Sequence, residues 1–258
     1  MKKIIMVLMV FILSLSVMAC GGSEGQTKGE TYIAVTEPTF APFDSTDEDG
    51  NIIGFDMDLM NAIGKDQGFK VEYKAVEFDA LIPAVQSGNA DMITAGYNAM
   101  DKNRQKKVDF SDTYYDSGLV VMVKQDNDNI KGIDSFTKNM KVTSQTGTTG
   151  ADLAIKLDKE GQIKEAVILN GFDTAILQLQ NGDVDAVIID KPVAENYIKK
   201  QPGEIKIVGE TLNAESYGFA VNKGNTELLN KINDGLRNVI ESGEYEEICK
   251  KWSIEGVY

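Results

Sequence analysis

The run FKVEYKAVEFDALIPAVQSGNADMITA, residues 69–95, predicts a strand, a helix and a second strand in close succession. Residues 69–75 have the alternation that is typical of a strand, and residues 79–87 carry apolar side chains at helical spacing. Residues 90–95 predict the second strand. Because parallel neighbours need a crossover, usually a helix, this order predicts a parallel sheet covered by helices. The run therefore indicates an α/β fold.

The same rhythm continues on both sides of this run. Upstream, residues 31–36 are rich in β-branched and aromatic side chains and predict the first strand, and a helix begins at Phe55 and ends at Gly68. Downstream, the predicted strands are residues 118–124, 140–145, 163–169 and 184–189, and the predicted helices are residues 148–160, 172–180, 192–200, 226–242 and 244–252. Two α/β series of similar length predict two lobes.

The N-terminus has the form of a targeting segment. Lys2 and Lys3 precede an apolar run at residues 4–15, and VMAC at residues 17–20 ends with a small residue before a cysteine. This pattern resembles a bacterial lipoprotein signal, which implies that Cys20 carries lipid, such as palmitate. An ordinary signal peptide with a chance cysteine is the alternative. We expect a signal peptide at residues 1–19, a flexible tether at residues 20–29, and a protein outside the cytoplasm, lipid-anchored to the cell membrane.

Composition argues against several classes of function. The net charge of −14 repels phosphate backbones, so nucleic acid is not an expected partner. The chain has no histidine, which removes the commonest general base and a common metal ligand. No nucleophile-and-base pair and no metal cluster is apparent. We therefore expect neither metal nor cofactor.

A series of motifs occurs in an order that is typical of one bacterial family. The signature is GFDMDLMNAI at residues 54–63. The other motifs are FDALIPA at 78–84, VDFSDTYY at 108–115, QTGTT at 145–149, VDAVIID at 184–190 and the segment 245–252. From about residue 31 onwards, the chain resembles the family 3 solute-binding proteins, the polar amino acid receptors of ABC importers.

This resemblance implies a two-lobed, periplasmic-binding-protein-like (type II) fold, in which two α/β lobes are joined by two extended hinge strands. Lobe 1 would comprise residues 30–113 and 218–258, and lobe 2 residues 119–212. The hinge crossings would be residues 114–118 and 213–217. The lobes would close on a free polar amino acid, and the permease subunits of an ABC importer would recognise the closed form. The protein is expected to be a monomer.

The resemblance also implies the groups that hold the ligand backbone. Arg104 would bind the carboxylate with its planar donor fork, although a surface arginine among lysines is the alternative. Thr148 and Thr149 begin a helix after Gly147 and would donate to the same carboxylate, or cap the helix. Asp190 would accept from the ammonium group, or serve as the N-cap of the next helix.

The ligand side chain would meet a second group of residues. Phe40 and Phe78 correspond to the aromatic pair of the family, and Glu37 and Gln145 occupy positions that face the side chain. An acid beside two rings suits a basic side chain, and also an amide.

The loop before Arg104 departs from the family. The spacing from Gly96 to Arg104 is one residue longer than is usual. Asn98 or Ala99 would therefore take the place of the usual Ser or Thr donor, and the donor set stays open.

Two other functions are weighed against binding. A dehydratase-like enzyme on the same scaffold would use Glu37 or Asp190 as acid or base. Against this function, the sequence shows no paired catalytic groups. A ligand-sensing domain is disfavoured because the sequence shows no downstream transmembrane or signalling segment.

Overall fold

The computed structural model describes residues 30–258. The predicted signal peptide, Cys20 and the tether up to residue 29 lie outside the described residues. The strands are β1 (Thr31–Thr36), β2 (Ser45–Thr46), β3 (Ile52–Ile53), β4 (Lys70–Ala75), β5 (Met92–Ile93), β6 (Val108–Phe110), β7 (Tyr115–Ser117), β8 (Leu119–Lys124), β9 (Lys141–Gln145), β10 (Glu165–Leu169), β11 (Ala186–Asp190), β12 (Ile205–Val208), β13 (Glu215–Tyr217) and β14 (Ala220–Asn222). The helices are α1 (Phe55–Gln67), α2 (Leu81–Gln86), α3 (Lys102–Gln105), α4 (Thr149–Lys159), α5 (Phe172–Asn181), α6 (Lys191–Lys200), α7 (Thr226–Glu241) and α8 (Glu244–Trp252).

Ten of the fourteen strands in the described residues form two five-stranded sheets, one in each lobe, and the pairs β2-β3 and β7-β13 form two small ribbons. The first five-stranded sheet has the order β4-β1-β5-β14-β6 and the second the order β10-β9-β11-β8-β12. In the first sheet, β1 runs parallel to β4 and β5, whereas β14 runs antiparallel to β5 and β6. The second sheet repeats this arrangement, with β9 parallel to β10 and β11, and β8 antiparallel to β11 and β12. The predicted two-lobed α/β fold is confirmed.

A pair of short strands connects the two sheets. Strand β7 leads from the first sheet towards β8, and β13 leads back towards β14. The two strands pair antiparallel, with Tyr115 opposite Tyr217 and Ser117 opposite Glu215. The residue limits given above for lobes and crossings stay predictions.

Helix α1 is placed by a glycine at its start. Gly54 has a φ of 155°, and a Cβ atom there would lie 1.9 Å from the carbonyl oxygen of Phe43. Only glycine allows this approach without displacing backbone. From there, Phe55, Leu59 and Ile63 are buried at helical spacing. The two closing helices, α7 and α8, pack against α1, so the end of the chain belongs to the first lobe.

Three of the differences from the predicted elements concern the first lobe's second β-α-β unit and the edge of the second sheet. The strand predicted at residues 90–95 is only Met92–Ile93, and Gly96, with a φ of 50°, then turns the chain. The helix predicted from residue 79 starts as a 3-10 turn at Phe78–Ala80. Strand β12 was not predicted, although Ile205 and Ile207 alternate with Lys206, because four residues give a weak periodic signal. Within residues 30–258, none of the helices has the length and apolar character needed to cross a membrane.

Candidate functional site

Arg104 is a buried arginine whose guanidinium group lies where the lobes meet. It lies in α3, where the Asp101 carboxylate accepts hydrogen bonds from the backbone N–H groups of Asn103 and Arg104 at 2.7 and 2.8 Å. Only 7% of Arg104 is exposed. Its Cζ lies 4.0 Å from the centroid of the Tyr97 ring, and Nη2 donates to the Gly147 carbonyl oxygen at 3.1 Å. The stacked guanidinium thus has a restricted orientation.

Arg104 has capacity for a further partner. Among residues 30–258, no carboxylate lies within 4.0 Å of its guanidinium nitrogens. A surface cavity of about 630 Å³ lies on the side of Arg104 that faces α2; its lining includes Phe78, Tyr97 and Gly147 but not Thr148 or Asp190. A buried guanidinium with spare donors suits an incoming carboxylate.

The start of α4 lies opposite Arg104. Thr148 is the N-cap, and its hydroxyl accepts from the Ala151 backbone N–H at 3.1 Å and donates to the Gln145 carbonyl oxygen at 2.7 Å. Thr149 is the first residue of the helix and is half-buried. The first N–H groups of a helix have no intrahelical acceptor. The capping role considered for Thr148 is present, and both its hydroxyl and its N–H donate to the Gln145 carbonyl oxygen. Arg104 reaches this helix start through its bond to the Gly147 carbonyl oxygen.

Asp190 ends β11 and is nearly fully buried. Its Oδ1 accepts a hydrogen bond of 2.6 Å from the Tyr217 hydroxyl. It precedes α6, but its side chain caps no helix N–H, so the alternative role as a side-chain N-cap is not realised. Burial raises the pKa of Asp190 well above its ordinary value, and the neighbouring Glu215 raises it further.

Glu37 and Gln145 come from different lobes and meet directly. Gln145 Nε2 donates to Glu37 Oε2 at 2.6 Å, and the same oxygen accepts from the Thr39 hydroxyl at 2.7 Å. Gln145 is fully buried, yet its Oε1 has no hydrogen-bond partner within the described part of the chain. Burial raises the pKa of Glu37, and the negative charge of Asp173 acts in the same direction.

The two predicted aromatic residues belong to separate clusters. Phe40 is buried, and its ring centroid lies 5.9 Å from that of Phe172 in the second lobe and 6.1 Å from that of Tyr217. Phe78 instead packs against Tyr97, with centroids 5.5 Å apart. The aromatic loop at Phe40 is therefore part of the junction between the lobes and not an exposed flap.

The loop from Gly96 to Asn98 lies beside the hinge. The Gly96 N–H donates to Asp56 Oδ2 at 2.8 Å, and a Cβ atom at Gly96 would lie 2.5 Å from the Phe40 ring. Asn98 Oδ1 accepts from the Met100 N–H at 2.9 Å, and its backbone forms a bridge with Tyr217. By accepting this hydrogen bond from Met100, the Asn98 side chain stabilises a turn within the lengthened loop.

Three residues of this junction were not singled out from the sequence. Tyr97 carries the Arg104 guanidinium, Tyr217 bonds Asp190, and Glu215 lies next to Asp190. The signal for Tyr217 was its position in a predicted crossing, and Tyr97 precedes the arginine in the same loop. Glu215 lies in the same predicted crossing, but no local pattern indicated that it would be buried near Asp190, because the two residues come from distant strands.

The chain matches a known family over nearly all of the described residues. Residues 32–255 fit the model of the bacterial extracellular solute-binding proteins, family 3. A probable histidine-binding protein of Neisseria gonorrhoeae is 36% identical over 247 residues, which cover 93% of this chain and 91% of that protein. An arginine-binding periplasmic protein of Mannheimia haemolytica is 34% identical over 225 residues, covering 85% and 90%.

Solved structures agree with this assignment. An ancestral arginine-binding protein bound to arginine has a TM-score of 0.82 and 43% identity, and the match covers 87% of this chain and 99% of that one. The chain belongs to the bacterial extracellular solute-binding proteins, family 3, the receptors of ABC importers. Members of this family act outside the cytoplasm. The resemblance seen in the motifs is confirmed.

A buried carboxyl group from the family signature gives a testable pH effect. Asp56 Oδ2 accepts from Gly96 N–H and, at 2.7 Å, from the Tyr114 hydroxyl. Burial raises the pKa of Asp56 to about 7. The folded protein therefore holds a proton that the unfolded chain releases, and stability should fall as pH rises from about 4 to about 7.

We expect Asp56→Asn to remove this part of the pH dependence, because the amide keeps the shape of the protonated acid. The variant should match the original chain at about pH 4 and exceed its unfolding free energy by up to about 4 kcal/mol at about pH 7. Urea unfolding at several pH values measures this. Asp49→Asn, an exposed site, is the control, and parallel curves for Asp56→Asn and Asp49→Asn would contradict the prediction.

Proposed function

We propose that the protein captures a free amino acid with a basic side chain between its two lobes and delivers it to an ABC importer. The observation that carries this proposal is the contact between Glu37 and Gln145, where a buried carboxylate lies beside a buried carbonyl oxygen, Oε1, that has no donor among residues 30–258. Both groups accept hydrogen bonds, so the complementary ligand is rich in donors. A guanidinium or ammonium group also adds charge attraction.

The ligand backbone meets groups of opposite charge. Arg104, together with Thr148 and Thr149 at the start of α4, receives the carboxylate, and Asp190 accepts from the ammonium group. Phe40 and Phe78 bound the side chain from two aromatic clusters, and Gly96 and Asn98 shape the loop beneath. An amide side chain also carries donors, but it lacks the charge that would favour the ionised form of Glu37.

Capture requires closure of the lobes. The proposed contacts lie in both lobes: Arg104 and Glu37 in the first, and Thr148, Gln145 and Asp190 in the second. A ligand that touches both sets binds the closed form more tightly and shifts the equilibrium towards it. Every contact comes from one chain, so a monomer suffices. The relatives named above are binding proteins, which supports this role over dehydratase chemistry at Glu37 or Asp190.

A thermal-shift screen against the common amino acids tests the proposal. We expect L-arginine to raise the unfolding temperature most, since ligand at about 100 times its dissociation constant adds about 2.7 kcal/mol of stability. Arg104→Ala should abolish the shift. Arg237→Ala is the matched control, because Arg237 is exposed on α7 and should leave the shift unchanged. A full shift in Arg104→Ala would refute the carboxylate assignment, and no shift with any amino acid would refute the function.

If Glu37 selects the ligand side chain, replacing it should change the preference of the protein for arginine over glutamine. Replacing Glu37 by Gln keeps the size but removes the charge, so the affinity for arginine should fall about 10- to 100-fold while that for glutamine changes little. Calorimetric titration with both amino acids measures the ratio. Glu48→Gln, an exposed site, should not alter it, and an unchanged ratio in Glu37→Gln would show that Glu37 does not select the side chain.

We also propose that Cys20 is lipidated and anchors the protein to the cell membrane. In cells fed labelled palmitate, the protein should carry the label and sediment with membranes, because two acyl chains suffice for stable anchoring. Cys20→Ser should lose both properties. Cys249→Ser is the control, since Cys249 is buried in α8; label that survives in Cys20→Ser would refute the anchor.

A further inference from the structure

A second buried carboxyl group lies beside the proposed ammonium site. Glu215 in β13 is only 2% exposed, and Tyr217, two residues further along the same strand, donates its hydroxyl to Asp190. Glu215 Oε1 accepts from Asn213 Nδ2 at 3.0 Å. Its Oε2 has no hydrogen-bond partner within residues 30–258. Two neighbouring buried carboxyl groups cannot both carry full charge at low cost, because burial removes the water that would solvate them.

The hinge strands hold both groups in place by neutral donors. Leu119, which lies opposite Asp190 in the sheet, donates its N–H to Asn213 Oδ1 at 2.7 Å, and this orients the Asn213 amide towards Glu215. On the other side, the Tyr217 hydroxyl donates to Asp190 and lies 2.8 Å from the Ser117 hydroxyl. The pair is therefore built into the connection between the lobes.

The charges around the pair do not neutralise it. Arg104 is the cation that acts on Asp190, and it lowers the pKa of Asp190 by less than burial and Glu215 raise it. Lys191 follows Asp190 in the chain, but it is half-exposed and lies 3.9 Å from Glu195. The pKa of Tyr217 is raised well above its ordinary value, chiefly by burial, so this hydroxyl stays neutral.

We propose that Asp190 and Glu215 share one proton when no ligand ammonium is bound, and that binding of the ammonium group releases this proton to solvent. This inference rests on the proposed function, since it concerns the same site. With one proton the pair has a charge of minus one. After release the pair has a charge of minus two, and the bound ammonium group brings the total charge of pair and ammonium back to minus one. Glu215 is thus a positioning residue that acts through Asp190.

Proton release makes capture depend on pH. Because one proton leaves for each ligand bound, affinity should rise about tenfold per pH unit while the pair still holds its proton, and should level off once the pair has lost it. If Asp190 bound the ammonium group alone and were already ionised, the ligand affinity would not change with pH in this way.

Calorimetric titration with L-arginine, in buffers of different ionisation enthalpy, counts the protons released. We expect about one proton per ligand at every pH at which the unliganded pair still holds its proton, and fewer at higher pH. In Glu215→Gln the count should fall to near zero and the affinity should become flat with pH, because the amide donates to an ionised Asp190 while its oxygen keeps the Asn213 bond. Glu210→Gln, an exposed site in the approach to the hinge, should behave like the original chain.

An infrared measurement tests the shared proton without any ligand. The band of a protonated carboxyl should be weaker at about pH 7 in Glu215→Gln than in the original chain, and unchanged in Glu210→Gln. An equal band in Glu215→Gln, buffer-independent heat in the original chain, or full proton release by Glu215→Gln would each overturn the proposal. If no amino acid raises the unfolding temperature while the band difference is present, the proposed function fails and the shared proton stands.

Discussion

Tyr217 makes the contacts on which the junction of the two lobes depends. Its ring is fully buried against Phe40 and Phe43 of the first lobe, and its hydroxyl donates to Asp190 of the second. Its carbonyl oxygen accepts from the Tyr114 N–H at 2.8 Å, in the first crossing. One side chain in a hinge strand therefore connects the apolar core of one lobe to a polar group of the other. A change in the angle between the lobes has to alter these contacts together.

The same hinge strand is linked to the loop that leads to Arg104. The Ala99 N–H donates to the Ser216 carbonyl oxygen at 2.7 Å. The Gly218 N–H donates to the Tyr97 carbonyl oxygen at 3.1 Å. Tyr97 in turn stacks under the guanidinium. The position of Arg104 is thus set by backbone bonds to the hinge and by a ring, before any ligand arrives. Such preorganisation lowers the cost of ordering the site on binding.

Burial of carboxyl groups is the main electrostatic cost of this design. Asp44, Asp56 and Asp190 are nearly inaccessible, and burial is the first cause of the raised pKa of each. Donors offset part of the cost, as Thr36 does for Asp44 and Tyr114 for Asp56. At Asp190 the side-chain donor within residues 30–258 is the Tyr217 hydroxyl, and the neighbour is another acid. The cleft is therefore acidic where a cation is proposed to bind, and the site gains its full stability only with that cation in place.

What the sequence determined by itself is local. The apolar spacing of α1, the glycine at position 54 and the alternation of strands and helices follow from short-range sterics and periodicity, and they were sufficient to predict two α/β lobes. Asp190 ends the motif at residues 184–190, and Arg104 lies between two motifs, so the resemblance allowed both to be put forward as candidate site residues. Only the tertiary structure brought Gln145 to Glu37, Tyr97 under Arg104, and Glu215 to Asp190. These partners lie far apart in the chain or on opposite sides of a turn, and the energy of each contact depends on burial and on the facing donor, which no local pattern encodes.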